Sequence, residues 1–344
     1  MKISLLRPDD WHLHLRDGVS LNAVVAHTAE RFGRAIVMPN LKPPVTTTEL
    51  AREYRARILA ALPASARFEP LMSLYLTDHT APTEVARAKQ SGFVHAIKYY
   101  PAGATTHADA GVSALDKTFA VLAAMEEQDL PLLVHGEVTD SQVDVFDREA
   151  VFIDRVLSDV TRRFPALRVV FEHITTKEAV DFVKSQPATI AATLTPQHLL
   201  LDRNALFEGG IRPHHYCLPI LKRAHHREAL IDAAISGNPK FFLGTDSAPH
   251  AKHSKEAACG CAGIYSAHAG IELYAEVFEQ AGRLDQLEGF ASHHGADFYR
   301  LPRHTDRITL SKDPWTVPTH YAFGDDRLIP FRAGSTVAWR LCSP

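Results

Sequence analysis

The chain has 344 residues, 46% hydrophobic and 22% charged, with a formal net charge of -3. Length and composition leave room for one large core, and a β/α barrel needs roughly 250 residues. The small net charge, with no long Lys/Arg block, gives no electrostatic footprint for nucleic acid or an anionic membrane as partner.

The opening segment, Met1 to Gly18, is interrupted by Arg7, Asp9, Asp10, His12 and His14. It therefore has no apolar stretch of signal-peptide length, and no run elsewhere approaches a membrane span. A cytoplasmic protein is expected. Cys217, Cys259, Cys261 and Cys342 do not make a secreted disulfide framework. Cys259 and Cys261 are too close for an easy disulfide and lack the two-residue gap of a zinc knuckle, so reduced thiols are expected.

Short apolar runs alternate with longer helical stretches along the chain. Strands are expected at Trp11–Leu15, Ala35–Pro39, Glu69–Leu76, Val94–Tyr99, Pro131–His135, Arg168–His173, Thr189–Leu194 and Phe241–Asp246. Helical spacing occupies Leu21–Arg31, Thr48–Leu62, Thr83–Gln90, Asp116–Gln128, Asp147–Arg163, Lys177–Ser185 and Ala224–Ser236. Thr46–Thr48 before Glu49, and Thr175/Thr176 before Glu178, read as helix caps. This alternation predicts an α/β fold, a parallel sheet closed into a (β/α)8 barrel. No Gly-rich dinucleotide fingerprint follows the first run, which argues against an open doubly wound sheet. Pro196–Arg223 and Ser247–Gly263 are long connections at strand ends, where barrel active sites are built. A terminal helix, Leu287–Tyr299, and an irregular Pro-rich tail are expected to pack on the barrel, making residues 1–344 a single domain with an extension from about 286.

Twenty histidines nominate nothing by number; position does. His12 and His14 lie two apart and leave the same strand face. His135, His173 and Asp246 each follow a buried apolar run. Taken singly, each is better read as a surface residue opening a loop. Four imidazoles and a carboxylate converging on one rim are a metal site, suited to Zn2+.

Lys98 sharpens that reading. A lysine at a strand end ordinarily snorkels to solvent, but beside metal ions an ammonium would repel them and offers no lone pair. Desolvated near cations, it becomes a neutral amine able to add CO2, and the carbamate can bridge two metals. Arg16 offers a bidentate clamp for a carboxylate if the first strand continues. Asn40, otherwise the start of a turn, offers donor and acceptor, and His250 lies four past Asp246.

Motifs in order along the chain carry a resemblance. They are Asp10-Trp11-His12-Leu13-His14-Leu15-Arg16-Asp17-Gly18, Met38-Pro39-Asn40, Lys98-Tyr99-Tyr100-Pro101-Ala102-Gly103-Ala104-Thr105-Thr106 and His135-Gly136-Glu137. Glu172-His173-Ile174, Thr195-Pro196-Gln197-His198, Gly244 to His250 and Cys259 to Gly263 follow. Together they resemble the amidohydrolase superfamily and, within it, the shorter bacterial dihydroorotases. That resemblance implies reversible, zinc-dependent cyclisation of N-carbamoyl-L-aspartate to L-dihydroorotate in pyrimidine biosynthesis, by a homodimer. It implies one Zn2+ on His12, His14, carboxylated Lys98 and Asp246, and a second on Lys98, His135 and His173. Asp246 would also be the acid/base. Arg16, Asn40 and His250 would grip the substrate carboxylate, with His14 and His135 also facing substrate. Leu218 and Ala262 would offer backbone groups to the ring, under a loop tipped by Thr105 and Thr106. The resemblance also implies that the chain starts at the first barrel strand, without the N-terminal half of a flanking β-sandwich. His253, Lys255 and Glu256 receive no role from it. A hydantoinase- or allantoinase-like enzyme shares the metal cage but gains nothing from a carboxylate clamp. A non-catalytic homologue would be expected to have lost ligands.

Overall fold

The structure, a computed structural model, describes residues 1–342. After a first strand at Lys2–Leu6 (β1), eight strands follow: Asp10–Leu13 (β2), Arg34–Val37 (β3), Glu69–Tyr75 (β4), Val94–Tyr99 (β5), Leu132–Val134 (β6), Val169–Phe171 (β7), Ile190–Leu194 (β8) and Phe241–Leu243 (β9). These eight are parallel neighbours in chain order from β2 to β9. The ends meet where Asp246 N donates to His12 O at 2.9 Å and His14 N to Ser247 O at 3.1 Å. A sheet joined to itself in this way is a (β/α)8 barrel.

The expected elements form, mostly shortened by a residue or two. Thr47 caps the helix Thr48–Ala61 by accepting from Leu50 N, and Thr176 caps Lys177–Ser185 by accepting from Ala179 N. Three helices were not expected: Pro196–Leu200 and Lys252–Lys255, single turns within the long connections, and Gly270–Gln280. Gly270–Gln280 is buried at every position except Glu279 and Gln280, yet Glu272, Glu276 and Glu279 recur along one face at helical spacing; the helix follows the eighth strand and its long loop, outside the strand–helix alternation that marked the others.

The barrel interior is built in layers. Trp11, Ile36, Leu71, Ala96, Leu133, Val170, Ala191 and Phe242 belong to one apolar cluster inside the sheet. The residues between them, such as Leu13, Val37, Ile97, Leu132 and Phe171, pack in the larger cluster that takes in the surrounding helices. A bulge in β2 adjusts this alternation: Asp10 pairs with Ala35 and Leu13 with Val37, so Trp11 and His12 together oppose Ile36. Such a bulge lets two consecutive side chains serve one face. Trp11 fills the floor while His12 turns toward the mouth.

The two chain ends depart from expectation. β1 lies outside the barrel and pairs antiparallel with Arg307–Ser311 (β10), so the first strand is not a barrel strand. The tail is not irregular: Trp315–Thr316 (β11), Tyr321–Phe323 (β12), Asp326–Leu328 (β13), Thr336–Val337 (β14) and Arg340–Leu341 (β15) pair as β11–β14, β12–β13 and β10–β15. Strands of two or three residues are too short for a period-2 signal. Ile3 and Leu5 face Leu310 and Ile308 across the β1–β10 ladder, a pairing visible only when the two ends meet. The last two residues of the expected tail lie outside the described residues.

Candidate active site

One step of two residues carries each strand from floor to mouth. Ala96 leads to Lys98, Leu133 to His135 and Val170 to Glu172, all inward because alternate side chains share a face. At the last strand the step from Phe242 reaches Gly244. A Cβ there would lie 2.7 Å from Thr193 Cβ and 3.1 Å from His12 Cβ, so glycine leaves room for the polar layer. Three site residues are placed by bends beyond their strands. Arg16, His173 and Asp246 have φ of 59°, 40° and 45°, a costly backbone for non-glycine residues that clusters at functional sites. Arg16 is therefore aimed by a turn and not, as expected, by continuation of the first strand.

The mouth gathers His12, His14, His135, His173 and Asp246 around one cavity, with Arg16, Asn40, Thr105, Thr106, Leu218 and Ala262 in its wall. His12, His173 and Asp246 each present a ligand atom, all within 4.8 Å of one another. Ring centroids of His12 and His173, and of His135 and His173, are 4.9 Å apart. Asp246 Oδ1 lies 3.1 Å from His14 Nε2 and 3.4 Å from His12 Nε2. Lys98 is fully buried, its Nζ without a hydrogen-bond partner among the described residues and 5.1 Å from the Tyr100 ring centre. His173 Nδ1 is also buried and unpartnered.

Each remaining imidazole is held from behind. Glu172 Oε2 is 2.8 Å from His12 Nδ1 and takes a hydrogen bond from Thr193 Oγ1 at 2.5 Å. Glu137 Oε2 is 2.8 Å from His135 Nε2, and Asn40 Oδ1 2.8 Å from His14 Nδ1. Such contacts fix the tautomer and leave the other nitrogen for the site. Asp10 ties the seam, accepting from His12 N, Thr245 N and Thr245 Oγ1 at 3.2, 2.8 and 2.6 Å. Glu172, Glu137 and Asp10 received no role from the sequence alone. A charged residue in inward register with an apolar floor was the available signal for Glu172.

Burial dominates the electrostatics. It lowers Lys98 to about 8, against the opposing charges of Glu172 and Asp246. Burial, then the charge of Lys98, holds His12 and His173 well below the usual imidazole range, and burial lowers His14 too. These imidazoles are neutral, with lone pairs to offer. Burial would raise the Asp246 carboxyl, but His12, His14 and Lys98 outweigh it and bring it to about 2. An amine close to neutrality, neutral imidazoles and an ionised carboxylate form a donor set that fits divalent cations, and unpartnered buried polar atoms are the mark of an absent partner.

Beside this cluster, Arg16 Nη2 is 2.9 Å from His250 Nε2, and Arg16 Nε donates to Pro249 O at 3.1 Å. Asn40 Nδ2 donates to Thr106 O at 3.3 Å, and Ala262 N to Thr106 Oγ1 at 3.1 Å. Asn40 is thus engaged at both ends, by His14 and by the Thr105–Thr106 loop, which lies over the cavity.

The profile of the amidohydrolase family matches residues 10–329. A dihydroorotase of Methylobacillus flagellatus is 65% identical over 339 residues, 98% of each chain. The crystal structure of a dihydroorotase from Campylobacter jejuni superposes with a TM-score of 0.91 at 35% identity, covering 99% of this chain and 98% of that one. A dihydroorotase from Saccharomyces cerevisiae in complex with 5-fluoroorotic acid gives the same TM-score at 32% identity and the same coverage.

Proposed function

The chain belongs to the amidohydrolase family and, within it, to the dihydroorotases, and on that premise we propose that six side chains at the barrel mouth hold two zinc ions while Arg16, Asn40 and His250 hold the substrate carboxylate. It is an enzyme that acts on a cyclic amide, and its family implies metal dependence. The finer assignments rest chiefly on Lys98, a buried amine with no hydrogen-bond partner among neutral imidazoles and a carboxylate.

His12, His14, Lys98 and Asp246 would hold one zinc, and Lys98, His135 and His173 the other. For Lys98 to serve both, its neutral amine bonds to the carbon of CO2 and releases a proton, leaving an anionic carbamate with two oxygen donors. When bound, the zinc ions supply Lewis acidity and a nucleophile at neutral pH.

The remaining work falls to the chain. Arg16 is half-buried and backed by Pro249 and His250, so its free edge would take a carboxylate in a fixed direction. Asn40 steadies His14 and meets the substrate from the same wall. The backbone groups of Leu218 and Ala262 would accept the edge of the ring. Thr105 and Thr106 close over it and exclude water. In ring opening of L-dihydroorotate, ionised Asp246 takes the proton of the attacking water and returns it to the leaving ring nitrogen. In ring closure of N-carbamoyl-L-aspartate the same transfers run backwards.

The 5-fluoroorotic acid in the yeast relative is an acidic pyrimidine, and it supports a carboxylate clamp over a site for neutral hydantoins. Among the described residues no helix is long and apolar enough to cross a membrane. A homodimer in the cytoplasm belongs to the same proposal, and light scattering of the purified protein tests the dimer. The decisive experiment offers the purified protein L-dihydroorotate, N-carbamoyl-L-aspartate and hydantoin, with metal analysis alongside. Turnover of the first two with two zinc equivalents per chain is expected; turnover of hydantoin alone overturns the reading.

A further inference from the structure

Between Asp246 and the cavity wall at Ala262 lies a loop whose one buried cation has no part in the chemistry above. Lys255 ends a single helical turn, Lys252–Lys255, yet is only 4% exposed. Its Nζ donates to Tyr216 O, Cys261 O and Gly263 O, each at 2.7 Å. An ammonium has three donors and no acceptor, so every proton is committed to a backbone carbonyl. Two of these carbonyls flank Ala262, and the third lies two residues before Leu218.

The same two segments also touch directly, through Gly263 N donating to Tyr216 O at 3.0 Å. Gly263 has φ 148°, and a Cβ there would lie 2.8 Å from Ala248 Cβ and 2.9 Å from His250 Cδ2, so this stretch is packed against the substrate-facing wall. Burial lowers Lys255 to about 8. Burying a charge against carbonyls costs stability unless the geometry is fully satisfied. An apolar side chain would fill the space but could not draw three carbonyls to one point.

We propose that Lys255 is a positioning residue: its ammonium clamps the Tyr216–Leu218 and Cys261–Gly263 segments together and so sets the backbone groups of Leu218 and Ala262 for the substrate. The inference rests on the reading that these groups meet the ring. Its test uses the zinc-loaded enzyme and its Lys255→Met and Lys255→Arg variants. For Lys255→Met, KM for L-dihydroorotate rises about tenfold with kcat within about threefold, the signature of lost uniform binding. Zinc content is unchanged, and Lys255→Arg recovers much of the KM. In the substrate-free protein, hydrogen exchange of amides 216–218 and 261–263 quickens about tenfold in Lys255→Met while the barrel strands stay protected. Unchanged exchange overturns the proposal, as does faster exchange with unchanged KM. If Lys255→Met does not fold, Lys255→Gln takes its place in both measurements. Should the unaltered enzyme fail to turn over L-dihydroorotate, the functional reading fails, and exchange alone then decides whether Lys255 is the clamp.

Discussion

The floor and the mouth of the barrel are built from the same strands, one step apart, and they obey opposite rules. At the floor, Trp11 stacks on Tyr299 with centroids 4.6 Å apart and rings 8° from parallel, and Phe242 meets Trp11 edge-on at 6.3 Å. Gly295, on the terminal helix, lets that stack close, since a Cβ there would collide with the Trp11 indole. At the mouth, Lys98 Nζ, His173 Nδ1 and Glu172 Oε1 are buried without partners among the described residues. The floor maximises dispersion and apolar burial. The mouth gives up stability, because an unpaired buried polar group costs about 1–3 kcal/mol. What the contrast teaches is economy of register. Since residues i and i+2 share a face, a strand passes from packing to chemistry without changing direction.

That contrast can be broken at either end. The largest effect is expected for Lys98→Ala, which should lose bound zinc and activity together without lowering the melting temperature of the metal-free protein, and small carboxylic acids should restore part of the activity. Unchanged zinc content would remove Lys98 from the bridge. Asp246→Asn should keep most of its zinc yet lose turnover in both directions by about 10²–10⁴-fold, the range for a general acid/base; turnover near that of the unaltered enzyme would end its role in proton transfer.

At the floor the expectation reverses. Phe242→Ala should cost about 3–5 kcal/mol in denaturant melts, while the specific activity of the folded fraction holds. A matching collapse in kcat at 25 °C would mean that floor and mouth are coupled. Glu172→Gln tests the seam between them: zinc affinity should fall about 10–100-fold through misdirection of His12, as read by competition with a chelator.

The smallest effect concerns pH. Burial lowers His198 to about 4, where it bridges Thr195 Oγ1 at 2.7 Å and Pro219 O at 2.9 Å. Its folded pKa lies below the ordinary imidazole value of 6.5, so the unfolded chain binds the extra proton first. Its contribution to stability is present above 6.5 and is lost as pH falls from 6.5 toward 4. The melting temperature of Lys98→Ala should decline across that window, and less so when His198→Gln is added; equal declines would exclude His198 as a source.

Much of this was legible in the chain itself. Short apolar runs marked the eight strands, and helical spacing marked the seven stretches between them and the terminal helix, because burial on a sheet or helix face is patterned at short range. His135, His173 and Asp246 stood out as polar groups following apolar runs, His12 and His14 by their two-residue spacing and Lys98 as a lysine at a strand end, signals that survive without coordinates. Gly270–Gln280 carries a helical period in Glu272, Glu276 and Glu279 but falls outside the strand–helix alternation, and β11 to β15 are too short to show a period at all.

Local order along the chain determined the barrel, its polar rim and the residue types able to hold a cation. Only tertiary structure decided that Trp11 and His12 share a face through a bulge, that β1 pairs with β10, and that Glu172, Glu137 and Lys255 stand behind the groups they orient. Periodicity is a property of neighbours, whereas a bulge, a strand partner or a buried hydrogen bond across 160 residues, such as His12 to Glu172, exists only once distant segments have been packed together.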